Sequence, residues 1–182
     1  MNDTLKIIEE RSSIRAYTDE MLTDEEVNLL VKAGLEAPTA ANRQELHFTV
    51  MKKGTAVYDE FTKAFTSIAA EGKTEAERAK MAPFTYGAPL LIVISGSKES
   101  NWDHIDSGIA VENIAIAAQS MGLGNLIIGC LRRLFESPAG AEWEKKLFPD
   151  NYRYDIAIAV GHKNTEKAPH EYDKDALVTY LG

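Results

Sequence analysis

The sequence predicts an α+β domain, and three observations carry that expectation. Four short apolar runs, "HFTVM", "PLLIVIS", "NLIIGC" and "DIAIAV", have the length and composition of buried strands. Segments with helical periodicity separate them. Hydrophobic residues make up 45% of the 182 residues, enough to bury a sizeable core. No repeat, low-complexity tract or Pro/Gly/Ser linker divides the chain, so residues 1–182 read as a single domain.

The elements follow in order. "TLKIIEE" is helical in pattern, and "LTDEEVNLLVKAGLEA" is helical again, with Thr23 and Glu26 three apart as a capping box ahead of Val27, Leu30 and Val31. That helix is expected to stop at Ala37, because Pro38 disfavours helical geometry in the residue before it. The three carboxylates of "TDEE" fit a helix N-terminus. Between the second and third strands lies "DSGIAVENIAIAAQSMGLG", which Asp106 or Ser107 can start and Gly122 or Gly124 can end. Ile109, Val111, Ile114, Ile116 and Met121 leave it almost no polar face, so it is expected to be buried on all sides. A subunit interface would cover the second side; a central helix within one monomer is the alternative.

Composition narrows the function. Lys plus Arg number 20 against 28 Asp plus Glu, a formal net charge of -8, which argues against the extended basic face that nucleic acid requires. A local pocket for one small anion stays open. Cys130 is the only cysteine, which precludes an intrachain disulfide, fits a reducing cytoplasm and reads as a small buried hydrophobe. The N-terminus lacks the pattern of an export signal, and no apolar run approaches the roughly 18 residues of a membrane span, so a soluble cytoplasmic protein is expected. His47, His104, His162 and His170 show no metal-site spacing, and no metal is expected. There is no dinucleotide-type glycine fingerprint.

Two stretches carry candidate chemistry. In "RSSIRAY", Arg11 and Arg15 flank the hydroxyls of Ser12 and Ser13, a set suited to an anion. In "APTAANRQELHF", Ala40 and Ala41 would let a backbone approach a flat ligand, while the amides of Asn42 and Gln44 both donate and accept. A turn between helix and strand uses the same residue types.

Taken in order, "RSSIRAY", "APTAANRQ", "APLLIVI", the "D.GIAVENIAIAAQSMGLG" helix, "IIG" and "IAIAVGHK" resemble the nitroreductase family of flavin-dependent oxidoreductases from about Leu5 to Lys167. The resemblance implies a central mixed sheet flanked by helices and an intertwined homodimer with two FMN sites shared across its interface. It implies that Arg11, Ser12 and Ser13 hold the FMN phosphate and that Arg15 faces the pyrimidine edge of the isoalloxazine, where a cation favours the reduced anionic flavin. A surface ion pair with Asp19 or Glu20 is the other role open to Arg15. Pro38, Thr39, Ala40, Asn42 and Gln44 match the family's "PSxxNxQ" loop, which reaches into the partner's FMN site. Ile128 and Gly129 match the backbone that passes close to the flavin ring, and Lys167 and His170 are candidates for a late phosphate contact. The chain departs from the family in having Glu45 and Leu46 where Pro and Trp usually follow the glutamine.

The implied activity is FMN-dependent transfer of electrons from NAD(P)H, a diffusible reductant, to a small electron-poor acceptor such as a nitroaromatic or quinone, by a ping-pong mechanism. The flavin would carry the chemistry, with Arg15 tuning it and no side chain acting as acid or base. The stretch from Ala56 to Pro83, with Phe61, Phe65, Met81 and Phe84, is the candidate acceptor pocket. Same-fold dehalogenation or flavin fragmentation, and a flavin-binding sensory protein without significant turnover, are the alternative functions.

Overall fold

The computed structural model describes residues 2–181. Helix α1 spans Asp3–Glu10, where the Asn2 carboxamide oxygen accepts the Leu5 N–H at 2.9 Å. Helix α2 (Asp24–Leu35) carries the expected capping box, Thr23 and Glu26 each accepting the other's backbone N–H. It ends two residues before Ala37, with Glu36 as its C-cap. A 3₁₀ turn over Ala40–Asn42 leads to β1 (Leu46–Lys52).

Helix α3 (Ala56–Ala69) buries Tyr58, Phe61, Phe65 and Ala69, one stripe at helical spacing, and the short α4 (Glu75–Arg78) has a second capping box on Thr74 and Glu77. Strand β2 (Leu90–Ser97) is buried along its whole length. Helix α5 (Asp103–Ser120) and β3 (Leu123–Ile128) follow, then α6 (Arg132–Phe135), α7 (Gly140–Leu147), β4 (Tyr152–His162) and α8 (Lys174–Leu177). No helix among the described residues is long and apolar enough to cross a membrane.

The four strands lie in the order β1-β2-β4-β3, and every neighbouring pair is antiparallel. Among the described residues, the sheet is mixed only through a single parallel bridge, between Ser13 and Asn125. The period of two along a strand sorts side chains onto two faces. On β4, Ala157 and Ala159 join a cluster with Phe61, Phe65 and Leu134, while Ile158 and Val160 join Leu30, Ile114 and Ala118 on the other side. The small alanines leave room for rings: Phe135 stacks on Tyr154 with centroids 4.7 Å apart, and Phe61 meets Trp143 edge-on at 5.1 Å.

Helix α5 packs against the sheet and α2, but it begins earlier than its sequence suggested. Neither Asp106 nor Ser107 caps it; both are buried within the first turns, and the cap position falls to Trp102. Gly122 ends it, as expected, in the left-handed conformation (φ 74°). Nor is it covered on every side within the chain, because Ile105 and Ile109 remain 55% and 37% exposed. Cys130 is likewise exposed rather than buried, since β3 stops at Ile128 and the chain turns outward.

The segment from Ser13 to Thr18 is laid onto the sheet by backbone bonds. Ile14 N–H donates to the Asn125 carbonyl at 2.8 Å, Thr18 N–H to the His162 carbonyl at 3.0 Å, and Asn164 N–H to the Ala16 carbonyl at 3.0 Å. Gly161 makes this approach possible, because a Cβ there would press on the Pro89 ring and lie 3.0 Å from Tyr17 Cδ1. Gly161→Ala is therefore expected to destabilise the protein by about 1–3 kcal/mol, the usual cost of overpacking. Urea unfolding measures this, and a change near zero would mean that the segment yields freely.

Candidate functional site

The residues of "RSSIR" are held at the edge of the sheet by the bonds just described. Arg11, half-buried, has its Nε 3.5 Å from a carboxylate oxygen of Glu112 on α5. Ser12 is buried, yet neither its hydroxyl nor that of Ser13 has a hydrogen-bond partner among the described residues. Arg15 is exposed and makes no ion pair with Asp19 or Glu20. Asp19 instead pairs with Lys53 at 2.9 Å, and Glu20 lies 3.9 Å from His162. The Arg15 guanidinium stands 6.0 Å from the centroid of the Tyr86 ring. Burial pushes the Tyr17 hydroxyl upward, against the pull of Arg15, and that hydroxyl donates to the Ile14 carbonyl at 2.9 Å. Two cations and two hydroxyls thus share a short segment with few internal commitments.

Asn125 supports them from below. It is fully buried; its amide donates to the Ala115 carbonyl of α5 at 3.2 Å, while its backbone carbonyl takes the Ile14 N–H. Further along β3, Ile128 is buried and its carbonyl accepts the Tyr154 hydroxyl at 2.7 Å. Gly129 is exposed, and a Cβ placed on it would meet nothing within 4 Å. Flat access to this backbone is therefore open.

The loop from Pro38 to Gln44 is built separately. Ala41, Asn42 and Gln44 all have left-handed backbones, with φ of 52°, 52° and 56°. Thr39 Oγ1 accepts the Gln44 N–H at 3.0 Å, the Gln44 amide donates to Asn42 Oδ1 at 3.2 Å, and the Ala40 N–H is directed at Asp106. Pro38, Thr39, Asn42 and Gln44 line a cavity of about 380 Å³ with Leu46 and Phe48. No hydrogen bond or ion pair joins this loop to Arg11–Arg15 among the described residues. The two groups touch different turns of α5, at Asp106 and at Glu112.

Other candidates land elsewhere. Lys167 and His170 are exposed on the segment after β4, where His170 approaches Tyr172, and neither bonds to Arg11–Ser13. The cation nearer that segment is Lys163, which the sequence did not single out. It bridges to Tyr17, and its side chain, 18% exposed, lies across Gly124 beside Ile14. Its position directly after "VGH", at the end of the last strand, was the available signal. Phe61 and Phe65 do not line an acceptor pocket: both are core residues, packed on Phe84 at 6.3 and 4.8 Å. Met81 does border an open cavity of about 660 Å³ beside α3, with Thr62, Thr66 and Arg78.

A second charged group lies where α5 meets β4. Arg153 holds buried Asp103 through Nε and Nη2 at 2.9 and 2.6 Å, and His104 Nδ1 lies 2.7 Å from Asp155 Oδ1. The Asp155 side chain is only 1% exposed, and burial, reinforced by the Asp103 carboxylate, pushes its carboxyl up to about 6. Sequence spacing hid this group because Asp155 comes from a strand far along the chain.

Fold and site together define an α+β protein that gathers cations and hydroxyls at one edge of its sheet. The nitroreductase family model matches residues 8–162, and the chain belongs to that family. A nitroreductase from Desulfitobacterium hafniense DCB-2, solved with bound FMN, is 33% identical, with both chains covered in full and a TM-score of 0.88. A protein of Archaeoglobus fulgidus assigned as an NADH dehydrogenase/NAD(P)H nitroreductase is 29% identical over 95% of this chain and 92% of its own. The FMN reductase (NADPH) of Bacillus subtilis 168 is 28% identical over 89% of this chain, which spans 66% of that enzyme.

The raised Asp155 carboxyl has a definite sign in stability. Its proton is held more tightly in the folded chain than at the ordinary value of 3.8, so its contribution is full below that value and is lost as pH rises through about 6. Asp155→Asn keeps the side chain neutral. Thermal midpoints should be several degrees above the parent's near pH 8, converging toward pH 4. A variant less stable than the parent near pH 8 would show that the ionised carboxylate is fully compensated.

Proposed function

We propose that residues 1–182 form a single FMN-binding domain that moves electrons from NAD(P)H to a small electron-poor acceptor, a nitroaromatic or a quinone, in the cytoplasm. The observation that carries this reading is the Arg11–Arg15 segment, with both hydroxyls and one guanidinium uncommitted, docked beside a strand that runs on to the open backbone of Gly129. The names of the relatives and the FMN held by the 33% identical structure support it.

The residues fit the cofactor. Arg11, Ser12 and Ser13 supply charge-assisted and neutral donors for a phosphate dianion. The Glu112 carboxylate, 3.5 Å from Arg11, is half-exposed and leaves the remaining guanidinium N–H groups to the ligand. Lys163, paired with Glu166 at 3.4 Å, is a further cation near this segment, while Lys167 and His170 are exposed after β4. Arg15, four residues on and exposed, would face the N1/O2 edge of the ring, where positive charge would favour the reduced state. Gly129 lets a flat ring approach without meeting a side chain.

When bound, FMN supplies the hydride chemistry. The chain's task is to bind, orient and tune it. With FMN held there, NAD(P)H would serve as the two-electron donor and the small acceptor, using the same site in turn, as the two-electron sink. No protein acid or base is needed.

The site is completed by a second copy. Ile105 and Ile109 on α5, with Leu177, Tyr180 and Leu181 near the C-terminus at 72%, 76% and 94% exposed, offer apolar surface that a homodimer would cover. Pro38, Thr39, Ala40, Asn42 and Gln44 of one subunit then serve the FMN of the other, which accounts for their separation from Arg11 within one chain.

The purified protein is expected to be yellow, and its denatured extract to yield FMN by chromatography. FAD, or no flavin after reconstitution with excess FMN, would reject the reading. Arg11→Ala should weaken FMN binding by about 2–5 kcal/mol, as when one partner of a desolvated charge pair is truncated. Arg15→Ala should in addition lower the flavin midpoint potential. Potentiometry decides this, and an unchanged midpoint would remove Arg15 from the ring's edge.

A further inference from the structure

Three of the four residues from Ala41 to Gln44 have left-handed backbones, and none is glycine. Asparagine tolerates that geometry through local hydrogen bonds, but alanine and glutamine do not favour it. Such a conformation persists only where neighbours over-determine it. Two side chains do so here. Thr39 closes the loop from within by accepting the Gln44 N–H. Asp106 holds it from outside, both carboxylate oxygens lying 3.1 Å from the Ala40 nitrogen.

Asp106 is only 5% exposed and stands in the first turn of α5, where the helix dipole stabilises its charge. Its hydrogen bond crosses 66 positions of sequence to a single backbone N–H of the loop. A charge so deeply buried is costly unless paired, and the loop amide is the partner the fold provides.

We infer that Asp106 is a positioning residue for cofactor binding: it clamps the Ala40 amide and so holds Ala41–Gln44 in the left-handed course that presents Asn42 and Gln44 to FMN. This rests on the proposed function. The clamp acts before any ligand arrives, so the loop is ordered in the free protein and binding does not have to supply that ordering. Asp106 itself touches no reacting atom.

The roles of clamp and of simple helix-terminal acid are separable. Asp106→Ala should raise the FMN dissociation constant roughly tenfold or more, the factor expected for a hydrogen bond to a charged group. Asp106→Asn keeps an acceptor oxygen and should restore most of the affinity. Asp106→Ala combined with Ala41→Gly should also regain much of it, because glycine enters the left-handed region without the clamp. Loss of a helix-terminal charge would not be repaired by a glycine in another segment. Ala41→Val leaves Asp106 intact, opposes the left-handed backbone and should weaken binding by itself.

Fluorescence titration of flavin-stripped protein with FMN reads all four variants. Hydrogen exchange of the Ala40 amide in flavin-free protein supplies a readout independent of the cofactor. It should quicken roughly tenfold in Asp106→Ala and stay near the parent rate in Asp106→Asn. Parental FMN affinity in Asp106→Ala or Ala41→Val, or the absence of rescue both in Asp106→Asn and on adding Ala41→Gly to Asp106→Ala, would overturn the inference. If the parent binds no FMN, the functional reading fails, while unchanged Ala40 exchange in Asp106→Ala would separately remove the clamp.

Discussion

Helix α5 is the constraint on which the rest of this molecule depends, because several of its polar side chains and one of its carbonyls take hold of another segment's backbone or charge. Asp106 takes the Ala40 N–H, the Asn113 amide donates to the Ala33 carbonyl of α2, Glu112 faces Arg11, and the Ala115 carbonyl receives the Asn125 amide from β3. The apolar face beneath, through Ala110, Ile114 and Ala118, is fully buried against the sheet. Each large aliphatic side chain buried there contributes on the order of 1.5–3 kcal/mol. Burial fixes the helix, and the fixed helix then indexes the loop, the N-terminal segment and the strand relative to one another. Directional bonds to a rigid rod set positions that hydrophobic contact alone would leave loose.

Much of this was legible in the sequence, for reasons that differ by element. The capping box at Thr23 and Glu26 is local chemistry and appears where expected. The four strands were visible through their short apolar runs, and β2 and the Ala157–Gly161 part of β4, buried on both faces, show no polar alternation, whereas the polar start of β4 at Tyr152–Asp155 lies outside its apolar run. The start of α5 differs from the expectation because Asp106 and Ser107 are good caps by type, whereas Asp106 is buried and accepts the Ala40 N–H of another segment and Ser107 donates within the helix. Cys130 departs from expectation for a related reason: the apolar run before it suggests a buried continuation, but the strand ends two residues earlier.

The candidate site was legible in its residue types and not in its geometry. Arg11, Ser12, Ser13 and Arg15 are contiguous, so a linear reading finds them. Lys163 approaches the same segment only because strand β4 returns beside β3, and Asp155 meets His104 only because α5 packs on β4. No spacing rule encodes either meeting. The left-handed course of Ala41, Asn42 and Gln44 was invisible for a different reason, since without glycine only Asn42 is of a residue type enriched in that conformation.

The parallel bridge between Ser13 and Asn125 also bears on colloidal behaviour. Strand β3 is an edge of the sheet, and an uncovered edge offers unpaired amides and carbonyls to any passing chain. The residues around Ser13 occupy part of that row, so the stretch that gathers cations and hydroxyls is also a guard against edge-to-edge aggregation. Loosening it would cost solubility as well as ligand contacts, and changes to "RSSIR" are constrained by both demands at once.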